Sequence, residues 1–195
     1  MNILTFSSFL IIVILLIWYF SSDTSKNGVK LLVIFGIGTG VFALGLNYIS
    51  NSCFGASTPI EIKTKNLTAQ KLKIYAIAFW GNNWNGNGSF VNYNKEIEPN
   101  ETSEFCIEND SRDFWLVAKN RNNEILYLNE IKTNENSFNF EIIKNQNIDP
   151  NKIQIAEELT FKTDKIETFE KYLVWTNIIL IVFLITSLIK NKNVG

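Results

Sequence analysis

The chain has 195 residues, 46% of them hydrophobic, with a mean hydropathy of +0.05 and a formal net charge of −1. That average hides apolar ends around a polar middle: residues 51–171 hold 14 Lys and Arg against 18 Asp and Glu, and the flanks hold four basic residues and one acidic. Such a division disfavours a soluble enzyme, a basic nucleic-acid binder and a disordered acidic tail.

Residues 1–22 carry no charge, and residues 9–20 are apolar at every position. At 1.5 Å per residue, an uncharged helix of 18 residues or more reaches roughly 27 Å, close to the hydrocarbon thickness of a bilayer. The first transmembrane helix is therefore predicted over residues 1–22. A cleavable signal peptide fits less well, because the leading residues lack Lys and Arg and no small-residue cleavage pattern follows Trp18, Tyr19 and Phe20.

The second helix is predicted over residues 29–50. Its rival is a lipoprotein signal ending at Cys53, but Ser50 stands where such a signal wants a large aliphatic residue. Gly36, Gly40, Ala43 and Asn47 recur at i, i+4, i+7 and i+11, which places three small side chains and one amide on a single helix face. A face of this kind lets another helix approach closely, with Asn47 able to hydrogen-bond across the contact. The packing partner is either another span of this chain or a second protein. Gly38, Gly40 and Ala43 also match the dinucleotide fingerprint GxGxxA, but that motif needs a strand leading into a helix beside water, so the match is accidental.

Residues 51–163 read as an all-β domain. Ile60 and Ile62 alternate with Glu61 and Lys63, and Phe138, Phe140 and Ile142 alternate with Asn139 and Glu141, so these strands have one wet face. Residues 72–80 and 113–119 are apolar on both faces, as central strands are. Weaker strands fit residues 90–97, 102–108 and 124–131, with turn signals at 81–88, 98–101 and 120–123. Seven short strands at this spacing suggest an immunoglobulin-like or related sandwich, without the Cys and Trp framework of a true immunoglobulin domain. Cys53 and Cys106 are a candidate disulfide, worth about 4 kcal/mol in the chain-entropy model.

After Pro150, Ile153 and Ile155 suggest an added edge strand. Asp164 stands three residues before Glu167 in a capping-box spacing, which predicts a stem and third transmembrane helix over residues 164–190. Residues 191–195 form a short tail. The predicted fold class is thus an α+β membrane protein, three transmembrane helices with an inserted all-β sandwich. Lys26 and Lys30 between the first two spans, with Lys190 and Lys192 after the third, predict an N-terminus outside, a C-terminus in the cytoplasm and a periplasmic β-domain in a bacterial inner membrane.

The chemistry is sparse. No histidine is present and the one methionine is Met1, which removes the usual general base and most copper, zinc and haem ligands. No catalytic residue, cofactor or metal site is predicted. Glu96 with Glu98 and Glu157 with Glu158 read as solvated surface, and the spans hold Thr176 and Asn177 but no charged group that would mark an ion path. The loop holding Trp80, Asn82, Asn83, Trp84, Asn85, Asn87 and Phe90 pairs aromatic rings with amides, a composition suited to a partner protein, a glycan or the membrane interface. The expectation is a non-catalytic membrane subunit that meets lipid and other integral membrane subunits and no nucleic acid. A glycan-binding module is the alternative, and an immunity-type protective protein the weaker one.

Overall fold

The computed structural model describes residues 3–21, 27–50, 59–79, 89–107, 113–132, 135–145 and 147–192. Along the chain run α1 (Ile3–Phe20), α2 (Asn27–Ser50), seven strands and α3 (Pro150–Lys192). The chain divides into two compact units, one of Met1–Ser52 with Ile166–Gly195 and one of Cys53–Lys165.

In the helical unit, α1, α2 and the later part of α3 are each long and apolar enough to cross a membrane. They meet through Ile11 and Ile14 of α1, Val33 of α2, and Ile181 and Leu184 of α3. Large apolar side chains also cover the outside, among them Phe9, Leu31, Phe42 and Phe183. Helices apolar all round suit a lipid surround, where the outward residues lose nothing by exposure.

In the other unit the strands are β1 (Ile60–Asn66), β2 (Leu72–Phe79), β3 (Ser89–Ile97), β4 (Thr102–Ile107), β5 (Asp113–Asn120), β6 (Ile125–Lys132) and β7 (Ser137–Ile142). They form two sheets, ordered β4-β1-β7 and β3-β2-β5-β6. Every pairing is antiparallel except β1 with β7. Period two decides what each strand buries. Leu72, Ile74, Ala76 and Ala78 of β2 join Phe114, Leu116 and Ala118 of β5 in one core, shared with Ile60, Ile62, Ile107 and Ile142 of the other sheet. The alternate residues Tyr75, Ile77, Phe79, Trp115 and Val117 form a second core with Ala156 and Ile153 of α3. The central strands are therefore buried on both faces, as their composition predicts.

The start of α3 corrects the expected edge strand and the expected helix start at Asp164. Residues 153–155 are helical, and Asp164 lies more than three turns inside the helix. The chain signal is Asp149-Pro150. Asp149 Oδ1 accepts from the backbone N–H of Asn151 at 2.9 Å, its carbonyl accepts from those of Lys152 and Ile153, and Pro150 occupies the first helical position, where no N–H is needed. Two other turns rest on asparagines with positive φ, Asn100 (64°) between β3 and β4 and Asn123 (63°) between β5 and β6.

Candidate functional site

The small-residue face of α2 is occupied by the chain's own helices. A Cβ built on Gly36 would stand 2.9 Å from Ile14 Cδ1 and 3.1 Å from Leu184 Cδ1, and one on Gly40 2.7 Å from Ile181 Cδ1 and 3.1 Å from Ile11 Cδ1. Ala43 is buried, and Asn47 is half-buried further along the same helix. Gly38 and Gly45, off this face, would meet nothing within 4 Å. Of the two packing partners open from sequence, the structure brings α1 and α3 against Gly36 and Gly40.

A polar lock between α1 and α3 lies in the same unit. Asn177 Oδ1 accepts from the Ser7 hydroxyl at 2.8 Å, and Asn177 Nδ2 donates to Ser8 Oγ at 2.7 Å and to the Leu4 carbonyl at 3.0 Å. Nδ2 also reaches the Leu173 carbonyl one turn back, at 3.0 Å. Asn177, Ser7 and Leu4 are fully buried. In hydrocarbon these groups have no water to turn to, so the bonds tie α1 to α3 in one register. Thr176 instead donates to its own helix, at the Tyr172 carbonyl.

Of the Trp- and Asn-rich loop, only Phe90 is described, packed partly buried against the shared core. Trp80, Asn82, Asn83, Trp84, Asn85 and Asn87 lie outside the described residues. Cys106 on β4 is disulfide-bonded. The chain's other cysteine, Cys53, lies outside the described residues.

The cluster that sequence reasoning missed sits where the second core runs out. Along one face of the sheet, β2 offers Phe79, Ile77, Tyr75 and then Lys73, while β5 offers Trp115, Val117 and then Lys119. Lys73 and Lys119 are directly opposed in the antiparallel register. Like charges facing each other across two strands repel, so the pair needs compensation. The stretch of α3 three to four turns from its start supplies it. Asp164 accepts from Lys73 Nζ at 2.7 Å and from Tyr75 Oη at 2.8 Å, and one turn earlier Thr160 Oγ1 accepts from Lys119 Nζ at 2.9 Å. The Thr160 hydroxyl spends its own hydrogen on the Ala156 carbonyl at 2.6 Å. Toward Lys119 it can only accept.

Lys119 is only 3% exposed, and burial pushes its pKa down, against the pull of Asp164 and Glu157. Its ammonium also stands 5.8 Å from the centre of the Tyr75 ring. Beside the cluster, Lys71 bridges Glu96 (2.8 Å) and Glu98 (3.0 Å). The bond from Lys71 lowers the Glu96 pKa, and those from Glu96 and Glu98 raise that of Lys71. The carboxylates at Glu96 and Glu98 thus flank a cation. Lys71, Lys73, Tyr75, Lys119, Arg121 and Asp164 line one cavity of about 160 Å³. Among the described residues no group of three or more His, Cys, Asp or Glu is arranged to hold a metal ion.

No protein-family model and no curated protein matches the chain. Among solved structures it is similar to a protein from Eubacterium rectale determined by NMR, at 9% identity and a TM-score of 0.33, over 48% of this chain and 86% of that one. A likeness at that level carries no argument about fold or function.

Proposed function

We propose that this chain is a non-catalytic membrane subunit whose helices anchor an immunoglobulin-like or related β-sandwich on the outer side of a bacterial inner membrane, where the sandwich docks to other subunits. The observation that carries the reading is the way the helical unit spends its polar and small residues. Asn177, Ser7 and Ser8 satisfy one another, and Gly36 and Gly40 receive the chain's own isoleucines and leucine. What remains outward is large apolar side chains, from Phe9 and Leu31 to Phe183, with the exposed Thr176 and Thr186 bonded to their own helix. A bundle closed on itself in this way suits an anchor and offers no charged path through the bilayer. Partner contact then falls to the sheet-bearing unit. The lysines after the third span and between the first two support a sandwich facing away from the cytoplasm.

The test is the native mass of the tagged protein in mild detergent. The proposal expects a stoichiometric membrane subunit to travel with it. A lone chain of 22.4 kDa in its micelle, with nothing at stoichiometric amount, contradicts docking.

A second reading keeps the anchor and gives the sandwich a glycan ligand, on the strength of Trp80 and Trp84 among four asparagines and three glycines. Trp84→Ala then abolishes retention on cell-wall glycan while leaving the melting temperature in place. Unchanged retention removes this reading.

A further inference from the structure

Lys119 is an uneconomical residue for its position. The strand that carries it is apolar on both faces from Phe114 to Ala118, and the residue directly opposite is a second lysine. Removing an ammonium from water is costly unless it is paired. Yet among the described residues the Lys119 ammonium hydrogen-bonds to the neutral hydroxyl of Thr160 alone, and the nearby carboxylate, Asp164, already takes bonds from Lys73 and Tyr75. Among the described residues no carboxylate lies within ion-pair distance of Lys119 or of Arg121, whereas Lys71 has two and Lys73 has one. An ammonium has three donors and a guanidinium five, and Thr160 uses one of them.

All four cations line the same cavity, against two carboxylates, Glu96 and Asp164. Lys71 is met by Glu96 and Glu98 and Lys73 by Asp164, so the two cations left over are Lys119 and Arg121. At about 160 Å³ it has room for a small oxyanion. A carboxylate would neutralise one of the two surplus charges. A phosphate monoester or inorganic phosphate, near two negative charges at neutral pH, neutralises both, and lysines serve phosphate as point charges.

We propose that this cavity binds a phosphate group between Lys119 and Arg121, with Lys73 and Asp164 fixing the wall behind it. The phosphate is either free or the monoester head of a lipid, and the two sources share the same contacts. The site lies wholly within residues 71–164, so it stands or falls independently of docking to other subunits.

The experiment titrates inorganic phosphate into the full chain in non-ionic detergent micelles, near neutral pH, at constant ionic strength held with chloride. Calorimetry should show saturable binding at a single site. Arg121→Gln, an exposed substitution that leaves the cores untouched, should weaken it at least about tenfold, and Lys119→Met should abolish it. If Lys119→Met does not fold, Arg121→Gln alone decides. In nanodiscs of zwitterionic lipid, doping with phosphatidic acid should compete with free phosphate if the lipid is the source and leave its affinity unchanged if it is not. Absence of saturable phosphate binding, or equal binding by wild type and Arg121→Gln, overturns the proposal.

Discussion

Replacing Asn177 by Leu tests the helical unit most sharply, because the change keeps the branched heavy-atom skeleton and removes the polarity. Three bonds to α1 disappear, those to Ser7 Oγ, Ser8 Oγ and the Leu4 carbonyl, while the fourth is intrahelical. Interhelical hydrogen bonds in membranes average about 0.6 kcal/mol each, so the loss is about 2 kcal/mol. Serine hydroxyls in a helix can turn back to their own carbonyls, which holds the figure at that level and does not raise it. Equilibrium unfolding in mixed micelles of mild and denaturing detergent reads the change. A double-mutant cycle with Ser7→Ala then isolates one bond, with a coupling of about 0.6 kcal/mol. A loss below about 0.5 kcal/mol for Asn177→Leu, or zero coupling to Ser7, would refute the lock.

Gly40→Ala should destabilise the bundle by about 1–3 kcal/mol, because its methyl meets Ile181 and Ile11, whereas Gly38→Ala and Gly45→Ala, with open space, should be neutral or stabilising by up to about 1 kcal/mol. The same detergent titration compares the three. Asp164→Ala removes a carboxylate that accepts from both Lys73 and Tyr75 and should cost about 1.5–3 kcal/mol in the thermal unfolding of the full chain. Lys119 has its folded pKa lowered from 10.5, so between the two values the unfolded chain binds more protons and stability rises with pH. Lys71 and Tyr127, whose pKa values are raised, act in the opposite sense at alkaline pH. The rise due to Lys119 is therefore read as the difference between wild type and Lys119→Met at alkaline pH below 10.5, and that difference should grow with pH in favour of the wild type. Substituting Cys106 by Ser should lower stability by about 4 kcal/mol if its bond closes the long loop back to Cys53, measured by denaturant unfolding with and without reductant.

The elements were legible wherever one period repeated. Alternation of Ile60, Ile62 and Thr64 against Glu61, Lys63 and Lys65 gives β1 its buried and exposed faces, and both-face burial of β2 and β5 follows from their continuous apolar runs. The start of α3 misled because Ile153 and Ile155 alternate over too few residues to distinguish period two from 3.6, while Asp149-Pro150 carried the better signal. The Lys73 and Lys119 cluster was hidden for another reason. Its contacts to Asp164 and Thr160 join residues 91 and 41 apart, a separation no local pattern encodes. One clue was present all the same: a lysine ending an apolar stripe of a doubly buried strand requires a partner somewhere. Asn177 gave the same kind of clue in the third span, and Ser7 and Ser8 its answer in the first.

The proposed function rests on the β-bearing unit lying outside the cytoplasm and on the three apolar helices crossing the membrane. The direct measurement is labelling of intact cells by a thiol reagent that cannot cross the membrane, with one cysteine introduced at exposed Asn139 on β7 and, separately, one at Gly195. Labelling at residue 139 in intact cells, and at residue 195 only after permeabilisation, is the predicted result. Labelling at residue 195 with protection at residue 139 would contradict it.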